Sequence, residues 1–171
     1  EAVAGCRASD AILLGAMGLP NVRWPNGKEM TPQIDLREEF QLYCGLRPIR
    51  LYHQNDTPLK NYRAGEIDFV IVRESTEGLF SARLSQSDPE AGEVCDVMRI
   101  TRSGSERVCR SAYRQAARRR KQITLVDKAN VLESSRLWRL IAMELSPQYP
   151  DVELNHSLVD SCAMRLIQRP S

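Results

Sequence analysis

QITLVDKANVLESSRLWRLIAMEL, residues 122–145, changes character midway. Ile123, Leu125 and Val126 belong to an apolar run short enough for a buried strand, and the run stops abruptly at Asp127 and Lys128. From Leu132 the apolar residues recur at helical spacing as far as Leu145, and Pro147 prevents the helix from continuing. A second apolar run, VELNHSLVD at 152–160, reads as a final strand. Strand, helix and strand in succession predict an α/β layered fold with a largely parallel sheet.

Upstream, residues 105–120 read as a helix. IDFVIVRE (67–74) is nearly all apolar from Phe69 to Val72, which predicts a strand covered on both faces, and IRLY (49–52) predicts a shorter one. Leu36, Phe40 and Tyr43 fall at helical spacing between Ile34 and Cys44, with Gly45 as the expected C-cap. AILLGAMG (11–18) reads as a buried strand feeding a glycine turn. Residues 81–100 mix Ser, Gly, Pro and acidic residues around EVCDVMRI, whose loose alternation predicts an exposed hairpin or arm.

The chain has 171 residues, 27% of them charged, and a formal net charge of +2. Its apolar runs all fall well short of the ~20 residues that a membrane helix needs, so no membrane partner is expected. Without a basic segment leading into an apolar signal core, the expected location is cytoplasmic. Five scattered cysteines with no CxxC pair argue against a disulfide framework or a zinc site and are expected as small buried hydrophobes. RQAARRRK (114–121) closes a helix, where cations complement the negative end of its dipole, so no nucleic-acid partner is expected.

Three apolar runs end in charges: FVIV in Arg73 and Glu74, ITLV in Asp127 and Lys128, HSLV in Asp160. In open α/β sheets, ligands bind beyond the carboxyl ends of the strands. Arginine's planar fork grips carboxylates bidentately, so Arg37, Arg47 and Arg73 suit a di- or tricarboxylate. A lysine partly desolvated near other cations can serve as a base. Asp160 is a hard oxygen donor of the kind that Mg²⁺ or Mn²⁺ prefers.

LREEFQLYCGLRPIRLY (36–52), IDFVIVRESTEGLF (67–80), QITLVDKANVLESSRLW (122–138) and YPDVELNHSLVDSCAMRLIQRP (149–170) resemble, in order and spacing, the β-decarboxylating dehydrogenases acting on isopropylmalate, isocitrate, homoisocitrate, tartrate and malate. The resemblance implies an isopropylmalate-dehydrogenase-like α/β fold. It also implies an NAD- or NADP-dependent oxidoreductase, requiring Mg²⁺ or Mn²⁺, that oxidises and decarboxylates a 2-hydroxy di- or tricarboxylate. By the same resemblance Arg37, Arg47 and Arg73 clamp the substrate carboxylates, and Lys128 is the base that takes the hydroxyl proton. Thr31 and Asn130 are implied in cofactor binding and Asp160 in metal binding. A homodimer is implied as well, with Lys128 and Asp160 serving the partner's site.

Two departures from the pattern carry consequences. The family's tyrosine after RExTEG, which helps protonate the enol, is Phe80 here, and a phenyl ring has no proton to give. Members are also about twice as long. Residues 1–42 then correspond to part of the large cofactor domain, and 43–171 to most of the small dimer-forming domain, with an arm near 81–102. A chain of this extent is expected to be inactive alone, and a non-catalytic, dimerising or regulatory relative is the alternative. In MTPQIDLR (30–37), Gln33 favours a polar substrate such as malate, tartrate or isocitrate, with isopropylmalate next.

Overall fold

The computed structural model describes residues 1–82, 90 and 92–170, which divide into two compact units, Glu1–Tyr43 and Cys44–Ser171. The first unit holds α1 (Ala2–Arg7) and α2 (Pro32–Glu39), neither with a buried residue. Arg7 pairs with Glu39, and its guanidinium lies 5.5 Å from the centroid of Phe40. The expected helix at 34–44 is shorter and earlier: Pro32 opens it at a position that needs no N–H, and Gln41 ends it with a left-handed φ of 50°. Gly45 therefore lies in a strand and caps nothing.

The strand expected at AILLGAMG does not form; Leu13 is fully exposed. A strand needs a neighbour for its N–H and C=O groups, and this unit's only bridge, Arg23 to Glu29, lies elsewhere.

The second unit begins with β1 (Cys44–Arg50), paired antiparallel to β2 (Asp68–Glu74). It continues with α3 (Arg102–Ala117), β3 (Gln122–Asp127), α4 (Glu133–Leu145), β4 (Glu153–Leu158) and α5 (Val159–Gln168). β3 and β4 pair in parallel, Asp127 opposite Leu158, as a crossover through α4 requires. The expectation of a largely parallel sheet therefore holds for one pair only. No crossover helix separates β1 from β2, only a loop with a 3₁₀ turn at Gln54–Asp56, so this pair is antiparallel. Pro48, which lacks a ladder donor, is tolerated because β1 is an edge strand. Of the expected arm, residues 83–89 and 91 lie outside the described residues, and 93–98 carry no regular structure.

The core lies where α3 and α4 cover β3. Tyr113 of α3 is 1% exposed, stacks on Tyr149 at 4.6 Å between centroids, and donates its hydroxyl to the Ala142 carbonyl at 2.9 Å. Ile141 and Ala142 of α4 close on Cys109, Ala116 and Leu125. Cys109 alone of the five cysteines is buried, and burial pushes its thiol up to about 12; Cys95 is exposed and the others lie between. The helices are tied at their rims by Arg102 to Glu144 at 2.6 Å and Arg110 to Gln148 at 2.7 Å.

The basic run leaves its helix at Ala117, and its cations work locally: Arg119 donates to the Asp68 carboxylate and Arg120 to the Asp68 carbonyl. Beyond them a cleft of about 640 Å³ separates the two strand pairs. Consecutive residues Phe69 to Val72 and Gln122 to Val126 line it. Neighbours in a strand point to opposite faces, so a run of consecutive residues reaches the cleft through the strand's edge. Among the described residues, neither edge is paired on that side.

At the end of β3, the Asp127 side chain is fully buried and takes two bonds from Arg139, 2.8 Å from Nε and 2.7 Å from Nη2, plus one from the Ala129 N–H at 2.9 Å. Burial alone would raise this carboxyl; those bonds and the Arg139 charge bring it below its usual value. A carboxyl depressed in the folded state stabilises fully above its unfolded value of ~3.9, and that contribution fades as pH falls through the lower folded value. Denaturant midpoints measured from pH 5 to pH 2 should fall for the natural chain. Arg139→Met, which strands a buried carboxylate, should be less stable at pH 7 and show a shallower acid-side decline, since Asp68 and Asp160 keep their own depressing partners. Ile141→Ala, opening a cavity at a fully buried position, should cost about 2–5 kcal/mol in the same titrations at pH 7.

Candidate functional site

Two clusters of charge form in the second unit, each on a separate strand pair. The first lies where β3 and β4 end side by side. Lys128 follows β3 directly, in a turn closed by its carbonyl, which accepts from Val131 N at 3.0 Å and Leu132 N at 2.9 Å. Ser135 accepts the Lys128 N–H at 3.2 Å. Asp160 stands in the first turn of α5, because β4 stops at Leu158, two residues earlier than the sequence suggests.

The parallel register therefore brings Lys128 and Asp160 together, and the ammonium pairs with the carboxylate Oδ2. The Lys128 hydrogen bond, aided by its charge, holds the Asp160 carboxyl below its usual range. The lysine side chain is 33% exposed and the aspartate 65%, so the pair opens onto solvent and is available to a ligand. Asn130 is exposed in the same turn.

The second cluster is on the β1–β2 pair. Arg73 lies opposite Gly45, and Arg47 opposite Ile71. Residues directly opposite share a face, as do residues two apart, so Arg47 and Arg73 project from one face as diagonal neighbours, roughly 7–8 Å apart at Cα. Arg47 is exposed and Arg73 half-buried, with its guanidinium 5.5 Å from the centroid of Phe80. Gly45 has a reason to be glycine: an added Cβ would fall 2.7 Å from the Ser75 hydroxyl.

The RESTEG segment (73–78) shows which of its polar residues face inward. Glu74 accepts from Thr76 N and Thr76 Oγ1, both at 2.7 Å, and from Glu77 N; Arg107 reaches Thr76 Oγ1 at 2.7 Å and Glu74 at 3.4 Å. Glu77 accepts from Thr101 N at 2.9 Å and Thr101 Oγ1 at 2.6 Å, at the positive end of α3. Its carboxylate occupies the place of a Gly104 side chain, since a Cβ there would lie 2.4 Å from it. These residues build the loop that carries Arg73 and Phe80. Sequence reading passed over Glu74, Glu77, Arg107 and Arg139 as positioning residues. The Thr101-x-x-Gly104 helix start was a usable signal for Glu77, whereas Arg139, twelve residues from Asp127, offered none.

Thr31 and Arg37 belong to the first unit. Thr31 is the N-cap residue of α2 but makes no capping bond with its side chain, which leaves the hydroxyl available; Arg37 lies in the last turn. Gln33, between them, has a buried Oε1 with no hydrogen-bond partner.

A divalent cation such as Mg²⁺ or Mn²⁺ takes about six oxygen donors. Asp160 offers one carboxylate, and among the described residues no three acidic, Cys or His side chains converge on a common point. The described residues by themselves do not complete a metal centre. Among the described residues, no helix is long and apolar enough to cross a membrane.

A family model described as isocitrate/isopropylmalate dehydrogenase matches residues 1–171. The 3-isopropylmalate dehydrogenase of Heyndrickxia coagulans is 48% identical over 172 residues, covering 96% of this chain and 46% of that protein. That of Bacillus subtilis strain 168 is 42% identical over 181 residues, covering 100% and 49%. Among solved structures, the isocitrate dehydrogenase of Methylococcus capsulatus matches with a TM-score of 0.74 and 32% identity, covering 87% of this chain and 44% of that one. The chain spans about half the length of the curated relatives it matches. With a family model matched from first residue to last and relatives this similar, the chain belongs to the isocitrate/isopropylmalate dehydrogenase family.

Proposed function

We propose that this chain forms part of an NAD- or NADP-dependent dehydrogenase that oxidises and decarboxylates a 2-hydroxy di- or tricarboxylate. The observation that carries the reading is the pairing of Lys128 with Asp160 at the carboxyl ends of two parallel strands. A proton-transfer group and a hard oxygen donor meet at one exposed point, which suits a 2-hydroxy acid whose hydroxyl must lose its proton.

Lys128, as the neutral amine released from its pairing with Asp160, takes that proton, and the turn locked by Asp127 and Ser135 keeps its backbone in place. Arg47 and Arg73 neutralise and orient the substrate carboxylates, and Arg37 is assigned the same role. Thr31 and Asn130 are assigned to the cofactor, whose nicotinamide supplies the hydride acceptor. Asp160 would contribute one carboxylate donor to a Mg²⁺ or Mn²⁺ ion. Exposed apolar side chains on α5, Met164 at 53% and Ile167 at 66%, support a homodimer in which Lys128 and Asp160 serve the partner's site.

The names of the relatives favour isopropylmalate as the substrate type. Gln33 favours the other reading, a substrate with a polar substituent, since its buried Oε1 lacks a donor and would be left so beside an isopropyl group. Phe80 favours a non-catalytic, dimerising relative, because it removes the expected proton donor from the site.

A panel of isopropylmalate, isocitrate, malate and tartrate with NAD and NADP on the complete gene product separates these readings. Turnover of at least one acid that Lys128→Ala lowers by ~10²–10⁴-fold is the expected outcome; no turnover across the panel would favour the non-catalytic reading. The purified 171-residue chain should reduce neither NAD nor NADP with any of the four acids.

A further inference from the structure

The turn between β3 and α4 is held group by group, and each bond fixes a different part of it. Ser135 accepts the Lys128 N–H, and the Lys128 carbonyl accepts from Val131 N and Leu132 N, so both backbone groups of the lysine are engaged. The Ala129 N–H donates to Asp127. The Ala129 carbonyl has a partner of its own: Arg136, in the first turn of α4, donates to it from Nε at 3.0 Å.

Ala129 is 8% exposed, and a carbonyl at such a position needs a donor. Arg136 suits the task because its guanidinium is planar and keeps its protons. Nη1 of the same guanidinium pairs with Glu133, three residues earlier on the helix. That pair is exposed on both sides and contributes little by itself. The bond to Ala129 is the one that reaches out of the helix and into the turn.

The Ala129 carbonyl and the Asn130 N–H belong to one peptide plane, which its partial double bond keeps rigid. A donor that fixes this carbonyl therefore fixes the direction in which the chain enters Asn130, whose side chain is exposed in the turn. Lys128 depends on Ser135, Val131 and Leu132 for the same service, so the two residues are oriented by different anchors.

We propose that Arg136 is a positioning residue for the cofactor, holding the Ala129–Asn130 peptide so that Asn130 meets the bound dinucleotide. The proposal rests on the reading of Asn130 as a cofactor-binding residue. Arg136→Met keeps the apolar stem and removes the donor.

Two measurements test this. In the 171-residue chain, the Ala129 carbonyl carbon should move upfield in Arg136→Met, as a carbonyl does on losing a donor. The Lys128 carbonyl, held within the turn, should stay where it was. An unmoved Ala129 resonance, or a Lys128 carbonyl that moves with it, would overturn the proposal. In the complete gene product, titrations with NADH and NADPH, followed by nicotinamide fluorescence, should show the bound cofactor held ~3–10-fold more weakly in Arg136→Met, the size of one hydrogen bond. KM for the turned-over acid and kcat should stay within twofold; a rise in the acid KM or a fall in kcat without weaker cofactor binding would place the effect elsewhere and sink the idea.

In an Asn130→Ala background, Arg136→Met should weaken the cofactor no further. An undiminished effect there would show that Arg136 does not act through Asn130. If Asn130→Ala itself leaves cofactor binding unchanged, the assignment of Asn130 fails and this proposal with it. If the natural protein binds neither cofactor, the functional reading fails by itself, and the carbonyl resonances still decide whether Arg136 holds the peptide.

Discussion

The second unit depends on a buried charge at the end of a strand. Asp127 has no exposed side-chain surface, so its carboxylate must be fully bonded or must lose its charge. Arg139, reaching back from the second turn of α4, and the Ala129 N–H meet that demand. In doing so they fix where β3 stops, how tightly the chain turns and where α4 starts. Lys128 stands between the bonded aspartate and the bonded alanine, and its direction follows from theirs. A stability determinant and a candidate catalytic residue are adjacent in sequence because the first fixes the backbone of the second.

The 73–78 loop applies the same logic with two more carboxylates. Glu74 is consumed by its own loop and by Arg107, and Glu77 by the start of α3. Both face backbone donors that would otherwise lack partners, and neither is free to bind a ligand. In both loops, acidic residues hold the chain while the adjacent cation addresses the site.

The order of elements from β2 onward was legible in the sequence, because apolar runs and helical spacing report burial directly. The Lys128–Asp160 cluster was legible through motif resemblance and through the charges that follow the strands. Three things were not. Strand direction in the β1–β2 pair depends on the connection, and a polar loop of that length gives no pattern from which to read it. The AILLGAMG run has strand composition, but composition cannot provide a pairing partner. The partners of Asp127 and Glu77 lie 12 and 24 residues away in sequence, and bonds of that kind leave no local periodicity.

The cleft between β2 and β3 bears on how this length of chain behaves in solution. Two ribbons of two strands each turn an unpaired edge toward the same slot, so both present a row of backbone donors and acceptors spaced for a strand. An extended segment entering the slot meets backbone groups of this kind. The edges do not discriminate between segments by sequence, since backbone groups are the same in every polypeptide. Arg119 and Arg120 guard only the Asp68 end. Protein concentration is therefore a variable in any experiment on the 171-residue chain, because at high concentration its own apolar strands compete for the slot.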